Sequence, residues 1–135
     1  MRYFGFYADC GYLVGRTIPV TNLRLGRPLR AADKQAAVGY LAAGTHLTVA
    51  VGIERDPFDR TQQQVIGGYS ALTDGVWCWP LMAAALVHRH DLEVPDELLA
   101  HMRARGFRPP TLTDEEIRSI FADVKPELYS LDQRA

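Results

Sequence analysis

The sequence predicts an α+β fold, with a small antiparallel sheet, helices packed on one side of it, and a mainly helical carboxyl-terminal half. β-prone and alternating segments dominate as far as Trp79, with one helical segment between them. After Trp79 the hydrophobic period becomes helical. This order favours separate layers over alternating βαβ units. The length of 135 residues fits a single domain, 1–135, with one core.

The early strands are predicted from aromatic and alternating residues. Aromatic residues at 3–7, turn residues at 8–11 and apolar residues at 12–14 indicate a hairpin. A further short strand over 17–20 contains Pro19, which confines it to an edge because proline donates no ladder hydrogen bond. Residues 46–53 form the clearest period-2 run of the chain, and we expect a central or near-central strand there.

The strongest local signal is a second hairpin within 65–79. Two β-prone runs flank Asp74-Gly75, a dipeptide typical of the two-residue type I′ turn, whose central positions both need positive φ. A two-residue loop would place Leu72 opposite Trp77 and Ser70 opposite Trp79. Both tryptophans would then lie on one face of the hairpin, and we expect that face to be core.

Four helices are predicted from caps, breakers and apolar spacing. Asp33 caps the first helix or lies in its first turn, and this helix runs through Ala43 with Tyr40 and Leu41 inward. Pro80 suits the first turn of the second, and Pro95 that of the third. The last begins with a capping box at Thr113 and is bounded by Pro126. Apolar residues face the core in the last two helices: Leu98, Leu99, Met102, Ile117, Ile120, Phe121 and Val124.

Composition argues against several classes of partner. Fifteen basic and sixteen acidic side chains leave a formal charge of -1, which provides no general attraction for nucleic acid. No apolar run approaches the length of a membrane span, and we expect no membrane partner. Cys10 and Cys78 show no CxxC spacing, and no secretion signal is recognisable. We therefore expect a cytoplasmic protein with reduced cysteines.

No residue set predicts a catalytic, metal or cofactor site. His88 and His90 are two positions apart on a predicted helix and point to nearly opposite sides, so they suit no shared metal ion. Asp9 beside Cys10 raises the pKa of the thiol and disfavours a reactive thiolate. Cys78 alternates with two tryptophans and is expected to be buried. A small enzyme using Cys10 or a histidine, and a structural or assembly subunit, remain as alternatives.

Residues 72–80, with the sequence LTDGVWCWP, carry a T-D-G-x-W-x-W pattern, and the segment 92–101 follows it after a helix. In these segments the chain resembles small uncharacterised actinobacterial proteins that are similar to immunity proteins of bacterial toxin systems. The usual tyrosine is absent from 84–87, and Leu98 stands where an aromatic residue is common. The resemblance implies a non-enzymatic, cytosolic inhibitor of a cognate toxin, and brings no catalytic residues.

The partner-binding residues predicted for such an inhibitor are Asp56, Phe58 and Asp59. They follow the strand predicted over 46–53, and recognition residues concentrate in loops on a rigid scaffold. Toxin clefts for nucleic acid or dinucleotides are often basic, and an acidic inhibitor complements them. Phe58 is the expected apolar anchor. We rank this segment, 54–64, above the acidic residues 114–116 because those already serve as a helix start.

Overall fold

The computed structural model describes residues 1–6, 28–48, 54, 55, 58, 61, 65–67 and 70–128. The α+β prediction is confirmed, and three of the four described helices follow the last described strand along the chain. The predicted strand over 17–20 and most of the first predicted hairpin lie outside the described residues. The elements are β1 Arg2–Tyr3, α1 Ala31–Ala42, β2 Thr45–Thr48, β3 Glu54–Arg55, β4 Val65–Gly67, β5 Ala71–Thr73, β6 Trp77–Pro80, α2 Ala83–His90, α3 Asp96–Ala104 and α4 Asp114–Leu128.

The main sheet has four strands in the order β1-β6-β5-β2, and β3 pairs with β4 in a separate two-stranded sheet. Strand β5 is antiparallel to both of its neighbours, whereas β1 runs parallel to β6. The sheet is therefore mixed, and the expectation of a wholly antiparallel sheet was wrong in this one pairing. A hydrophobic pattern reports which face of a strand is buried, and it does not encode the direction of the neighbouring strand.

The strand predicted at 46–53 is β2, and it lies at an edge of the described four-stranded sheet instead of near its centre. Residues 49–53 of the prediction lie outside the described part. The alternation that predicted this strand indicates one buried face, and this is a property that edge and inner strands share. Its pairing with β5 contains a register shift between His46 and Thr48.

The β5–β6 hairpin is confirmed, but its register differs from the prediction by two residues. Leu72 pairs with Trp79 and Thr73 with Cys78. A shift of two preserves which side of the strand each residue faces, so Trp77 and Trp79 still share one face. Both are buried, with 4% and 0% of their surface exposed. Their prediction as core residues is confirmed.

The hairpin turn also differs from the predicted type. The central positions are Gly75 and Val76. Gly75 has a positive φ of +97°, and Val76 has a negative φ. Positive φ at the first central position alone is the pattern of a type II′ turn, which places glycine there. The sequence signal correctly located the turn and misassigned which residues occupy its centre.

Helix α1 packs against the tryptophan face of the hairpin. The rings of Tyr40 and Trp79 have centroids 6.0 Å apart, and the Trp79 indole Nε1 donates a hydrogen bond of 2.9 Å to the carbonyl of Leu41. The opposite face of the hairpin is buried as well, through Ala71, Thr73 and Cys78. The two inner strands are thus covered on both faces, which explains their nearly continuous apolar composition.

Helix boundaries agree with the sequence at α1 and α3 and differ at α2 and α4. Pro80 ends β6, opposite Ala71, and α2 begins only at Ala83. A proline at a strand end costs little stability, because no backbone N–H is needed there to continue the ladder of hydrogen bonds. Helix α4 continues through Pro126 to Leu128, so the proline lies in the last turn and removes one backbone hydrogen bond. No described helix combines the length and apolarity needed to cross a bilayer.

The capping box that begins α4 is confirmed. The Thr113 hydroxyl accepts a hydrogen bond from the backbone N–H of Glu116, and the Glu116 carboxylate accepts one from the backbone N–H of Thr113, both at 3.1 Å. Of the predicted inward residues, Val124 is buried, and Ile117, Ile120 and Phe121 pack against the core while partly exposed. The expectation of an apolar inner stripe is confirmed.

Gly44 should tolerate no side chain, because the connection between α1 and β2 packs directly against a tryptophan. A Cβ at Gly44 would lie 2.5 Å from Cζ2 of Trp79, whereas one at Gly39 would meet nothing within 4 Å. We expect Gly44→Ala to lower the free energy of unfolding by about 1–3 kcal/mol through overpacking. Gly39→Ala, the matched control, should raise it by roughly 0.5–1 kcal/mol. Urea unfolding of both variants measures this, and equal effects would contradict the packing described.

Candidate functional site

A buried carboxylate at the tip of the β5–β6 hairpin is the most unusual group in the structure. Asp74 is 1% exposed, and among the described residues no other charged side chain is buried. A buried charge is costly unless it is paired and hydrogen-bonded. The partners of Asp74 therefore decide whether this site is structural or chemical.

The turn itself supplies two of the partners. Oδ1 of Asp74 accepts hydrogen bonds from the backbone N–H groups of Val76 at 2.9 Å and Trp77 at 2.7 Å. Beside it, Thr73 Oγ1 accepts from the Gly75 N–H at 3.0 Å and donates to the Trp77 carbonyl at 2.7 Å. Short polar side chains that bond the following backbone favour such turns. These bonds explain why Asp74 flanks the turn instead of occupying its centre.

Two helices supply the other partners. Oδ2 of Asp74 accepts from the Tyr40 hydroxyl of α1 at 2.6 Å and lies 2.9 Å from Nε2 of His101 on α3. Because an ionised carboxylate can only accept, Nε2 of His101 carries the proton. The guanidinium of Arg105, the residue directly after α3, donates to the Asp74 backbone carbonyl at 3.3 Å. We refer to Tyr40, Asp74, His101 and Arg105 as the tip cluster.

The electrostatics of the tip cluster keep Asp74 ionised. Burial alone raises the pKa of its carboxyl group, but four effects oppose it: the Tyr40 hydrogen bond, the N–H groups of Trp77 and Val76, and the charge of His101. Their sum holds the pKa of Asp74 below its ordinary value. Burial raises the pKa of Tyr40 far above its ordinary value, and the hydrogen bond to Asp74 and its charge add to this, against a smaller lowering by Arg105. Tyr40 therefore remains a donor.

The carboxylate of Asp74 has no accepting capacity left. A carboxylate offers about four lone-pair positions. Two backbone N–H groups, one hydroxyl and one imidazole N–H fill them. The arrangement thus fastens α1 and α3 to the hairpin tip. His101 is half-buried, with 21% of its side chain exposed, and its second ring nitrogen, Nδ1, does not bond Asp74.

Of the three predicted partner-binding residues, the structure describes Phe58. It is half-buried and packs against the core, and its ring centroid lies 5.0 Å from that of His90 on α2. Asp56 and Asp59 lie outside the described residues, so their assignment to partner binding stays a prediction. The aromatic contact with α2 was not foreseen, since Phe58 and His90 are far apart in sequence.

The other residues considered for chemistry occupy ordinary positions. Cys78 is buried in β6, as predicted, and Cys10 lies outside the described residues. His88 and His90 are on α2, with His88 exposed and His90 against Phe58. Within the described ranges no three His, Cys, Asp or Glu side chains are grouped as metal ligands would be.

Sequence reasoning located Asp74 and missed its function in the cluster. The Thr-Asp-Gly order before two tryptophans signals a side chain that bonds the turn backbone. Tyr40 and His101 lie 34 and 27 residues away from Asp74, and no local pattern links them to it. Tyr40 was predicted as an inward residue of α1, and burial of a tyrosine does require a hydrogen-bond partner for its hydroxyl.

The fold and the tip cluster together define an α+β protein in which one buried carboxylate joins a hairpin to two helices. Comparison with models of protein families, with curated proteins and with solved structures finds no match to this chain.

Removing the charge of Asp74 should weaken the fold most at neutral pH. The folded-state pKa of Asp74 is lowered, so ionisation contributes stability above the unfolded value of about 3.9, and this contribution is lost as pH falls through the folded value. We expect Asp74→Asn to cost roughly 3 kcal/mol at pH 7. The difference from wild type should shrink below about pH 4. Urea unfolding at several pH values measures both.

The matched control is Asp123→Asn, which makes the same change on the exposed surface of α4. It should leave the free energy of unfolding within about 0.5 kcal/mol of wild type at pH 7. If Asp74→Asn behaved like this control, or if its cost were constant down to pH 3, the carboxylate would not be the ionised hub described above.

Proposed function

We propose that this chain is a non-enzymatic binding protein of the bacterial cytoplasm, an immunity-type inhibitor that occupies and blocks the active-site cleft of a cognate protein toxin. The observation that favours a binding role over catalysis is that hydrogen bonds occupy every accepting position of the Asp74 carboxylate. The resemblance of residues 72–80 to immunity-like proteins supports the toxin as partner. Both T-D-G-x-W-x-W features of that resemblance, the turn and the paired tryptophans, belong to the scaffold of this fold.

A general base needs a free lone pair within reach of the proton that it removes. The lone pairs of Asp74 are taken by Tyr40, His101 and the turn backbone. Its lowered pKa also makes it a weaker base. The cluster is thus suited to holding a rigid scaffold, and a rigid scaffold is what a tight inhibitor requires, because preordered surfaces lose less entropy on binding.

The proposed contact residues are Asp56, Phe58 and Asp59. The Phe58 ring rests against His90, which ties this part of the chain to the carboxyl-terminal end of α2. In the sequence, Asp56 stands two positions before Phe58 and Asp59 directly after it. Two carboxylates beside an anchored ring suit the entrance of a basic cleft, where charge complementarity accelerates association and selects the partner.

The experiment is a calorimetric titration of the protein with the product of the neighbouring gene, since a toxin and its inhibitor are encoded together. We expect a complex with the wild type, and a loss of affinity of about a hundredfold or more in the double variant Asp56→Lys with Asp59→Lys, because two attractions become repulsions. The matched control is Asp114→Lys with Glu115→Lys, the same charge change at exposed positions of α4.

The control should retain affinity within about fivefold, which is the range of a general charge effect. Equal loss in both double variants would assign the effect to net charge alone. Unchanged affinity in the first would remove these residues from the interface. A wild type that forms no complex would contradict the inhibitor proposal itself.

A second candidate function is a small enzyme that uses a histidine, and the pairing of His101 with Asp74 favours it. In acid–base sites a buried carboxylate orients a histidine whose second nitrogen faces the substrate. Here the carboxylate is buried and the histidine is half-buried, at 2.9 Å. The Cys10 version of this candidate concerns a residue outside the described part.

His101→Gln separates the two candidates, because a glutamine amide can donate to Asp74 in place of Nε2 but cannot shuttle a proton. Under the inhibitor proposal we expect toxin affinity within about threefold of wild type and a melting temperature lowered by only a few degrees. If His101→Gln folded and still bound the toxin but no longer protected cells against it, that result would favour the enzyme.

A further inference from the structure

Two side chains outside the tip cluster hold a guanidinium group at one edge of the described sheet. The guanidinium belongs to Arg2 of β1, and its Cζ lies 4.3 Å from the centroid of the Trp77 indole ring. The same group donates a hydrogen bond to the carboxylate of Glu97, in the first turn of α3. We refer to the indole of Trp77 and the carboxylate of Glu97 as the guanidinium site.

The chemistry of the guanidinium site selects arginine. An indole presents the most favourable aromatic face for a cation, and a carboxylate accepts charge-assisted hydrogen bonds from guanidinium N–H groups. A planar guanidinium can stack on the ring and bond the carboxylate at once, whereas the ammonium of lysine is a compact and strongly hydrated point charge. The position of Arg2 shows that the spacing of Trp77 and Glu97 accommodates one guanidinium.

The side chain of Arg2 is held by contacts that are individually weak. It is 53% exposed, and its partner Glu97 is 68% exposed. Ion pairs this exposed add little stability, because water screens them and ordering two long side chains costs entropy. The backbone N–H of Arg2 bonds the Val76 carbonyl at 3.0 Å, independently of the side chain. The guanidinium can therefore leave the site while β1 remains paired with β6.

Departure of the guanidinium leaves a surface that favours a new cation. With Arg2 in place, Trp77 is only 4% exposed, and the half-exposed guanidinium lies between its ring and solvent. Without that cover, the indole faces water beside an unpaired Glu97 carboxylate. Tryptophan and arginine are also the residues that most often dominate the energetics of protein interfaces. An arginine from another protein would restore both contacts that Arg2 gives up.

We propose that the guanidinium site binds an arginine side chain of a protein partner, and that Arg2 is an internal competitor for this site. The inference rests on the proposed binding role and deepens it, because it names the residue type that the partner contributes. An arginine of a basic toxin cleft has the required chemistry. In the free protein Arg2 occupies the site, and the partner's arginine takes its place in the complex.

The experiment first selects peptides from a random dodecapeptide phage library on the immobilised full chain carrying Arg2→Ala. We expect enriched peptides to contain arginine. A synthetic copy of the most enriched peptide is then titrated by fluorescence anisotropy. It should bind Arg2→Ala at least about fivefold more tightly than wild type, because the wild type must first release its own arginine. Arg118→Ala, the matched control on the exposed side of α4, should stay within about twofold of wild type.

A second comparison tests the two contacts directly. In the peptide, citrulline replaces arginine with a neutral group of the same shape, and this copy should bind Arg2→Ala about tenfold less tightly. Adding Glu97→Gln to Arg2→Ala should weaken the arginine peptide and leave the citrulline copy unchanged, and melting temperatures verify each fold. No enrichment of arginine, equal affinity of wild type and Arg2→Ala, or equal affinity of the two peptides would each overturn the guanidinium site.

The guanidinium site and the toxin proposal fail separately. A toxin complex that tightens about threefold or more with Arg2→Ala, and is unchanged with Arg118→Ala, would support an arginine of the toxin as the occupant. A complex weakened by Asp56→Lys with Asp59→Lys, but indifferent to Arg2→Ala, would retain the inhibitor and overturn the site as part of its interface. Arginine peptides that behave as expected, together with no toxin complex, would retain the site and contradict the toxin as partner.

Discussion

The structure depends on one buried negative charge. Asp74 must be surrounded by donors, because an unpaired carboxylate out of water costs several kcal/mol, and its donors come from three different parts of the chain. The turn supplies backbone N–H groups, α1 supplies Tyr40, and α3 supplies His101. Meeting this requirement fixes where both helices lie relative to the hairpin. Apolar packing alone, which has no direction, would leave their positions less defined.

A second constraint acts on the same face of the sheet. Trp79 fills the space beneath α1, its Nε1 bonds the Leu41 carbonyl, and its ring leaves no room for a Cβ at residue 44. Tyr40 contacts both the Trp79 ring and the Asp74 carboxylate. The apolar and polar parts of the core therefore share residues. Interiors of this kind tolerate little rearrangement, because moving one group breaks contacts of both types.

The extent to which the fold was predictable depends on the range of each interaction. Local chemistry located α1, α3, the capping box at Thr113 and the hairpin, because caps, apolar spacing and turn residues act within a few positions. The parallel pairing of β1 and the edge position of β2 depend on partners distant in sequence, and no local pattern encodes them. The tip cluster is the extreme case, since Asp74 meets residues 34 and 27 positions away. Pro80 misled because the residue suits a strand end and a helix start equally.

The parallel pairing of β1 with β6 bears on the order in which the chain assembles. Arg2 pairs with Trp77 and also stacks its guanidinium over that indole ring, 4.3 Å from the centroid. The pairing of β1 thus requires a strand that lies more than seventy positions later in the sequence. During synthesis on the ribosome, β1 has no place to dock until β6 has emerged. Closure of this edge is therefore a late event, and such long-range pairing slows folding compared with the local formation of the β5–β6 hairpin.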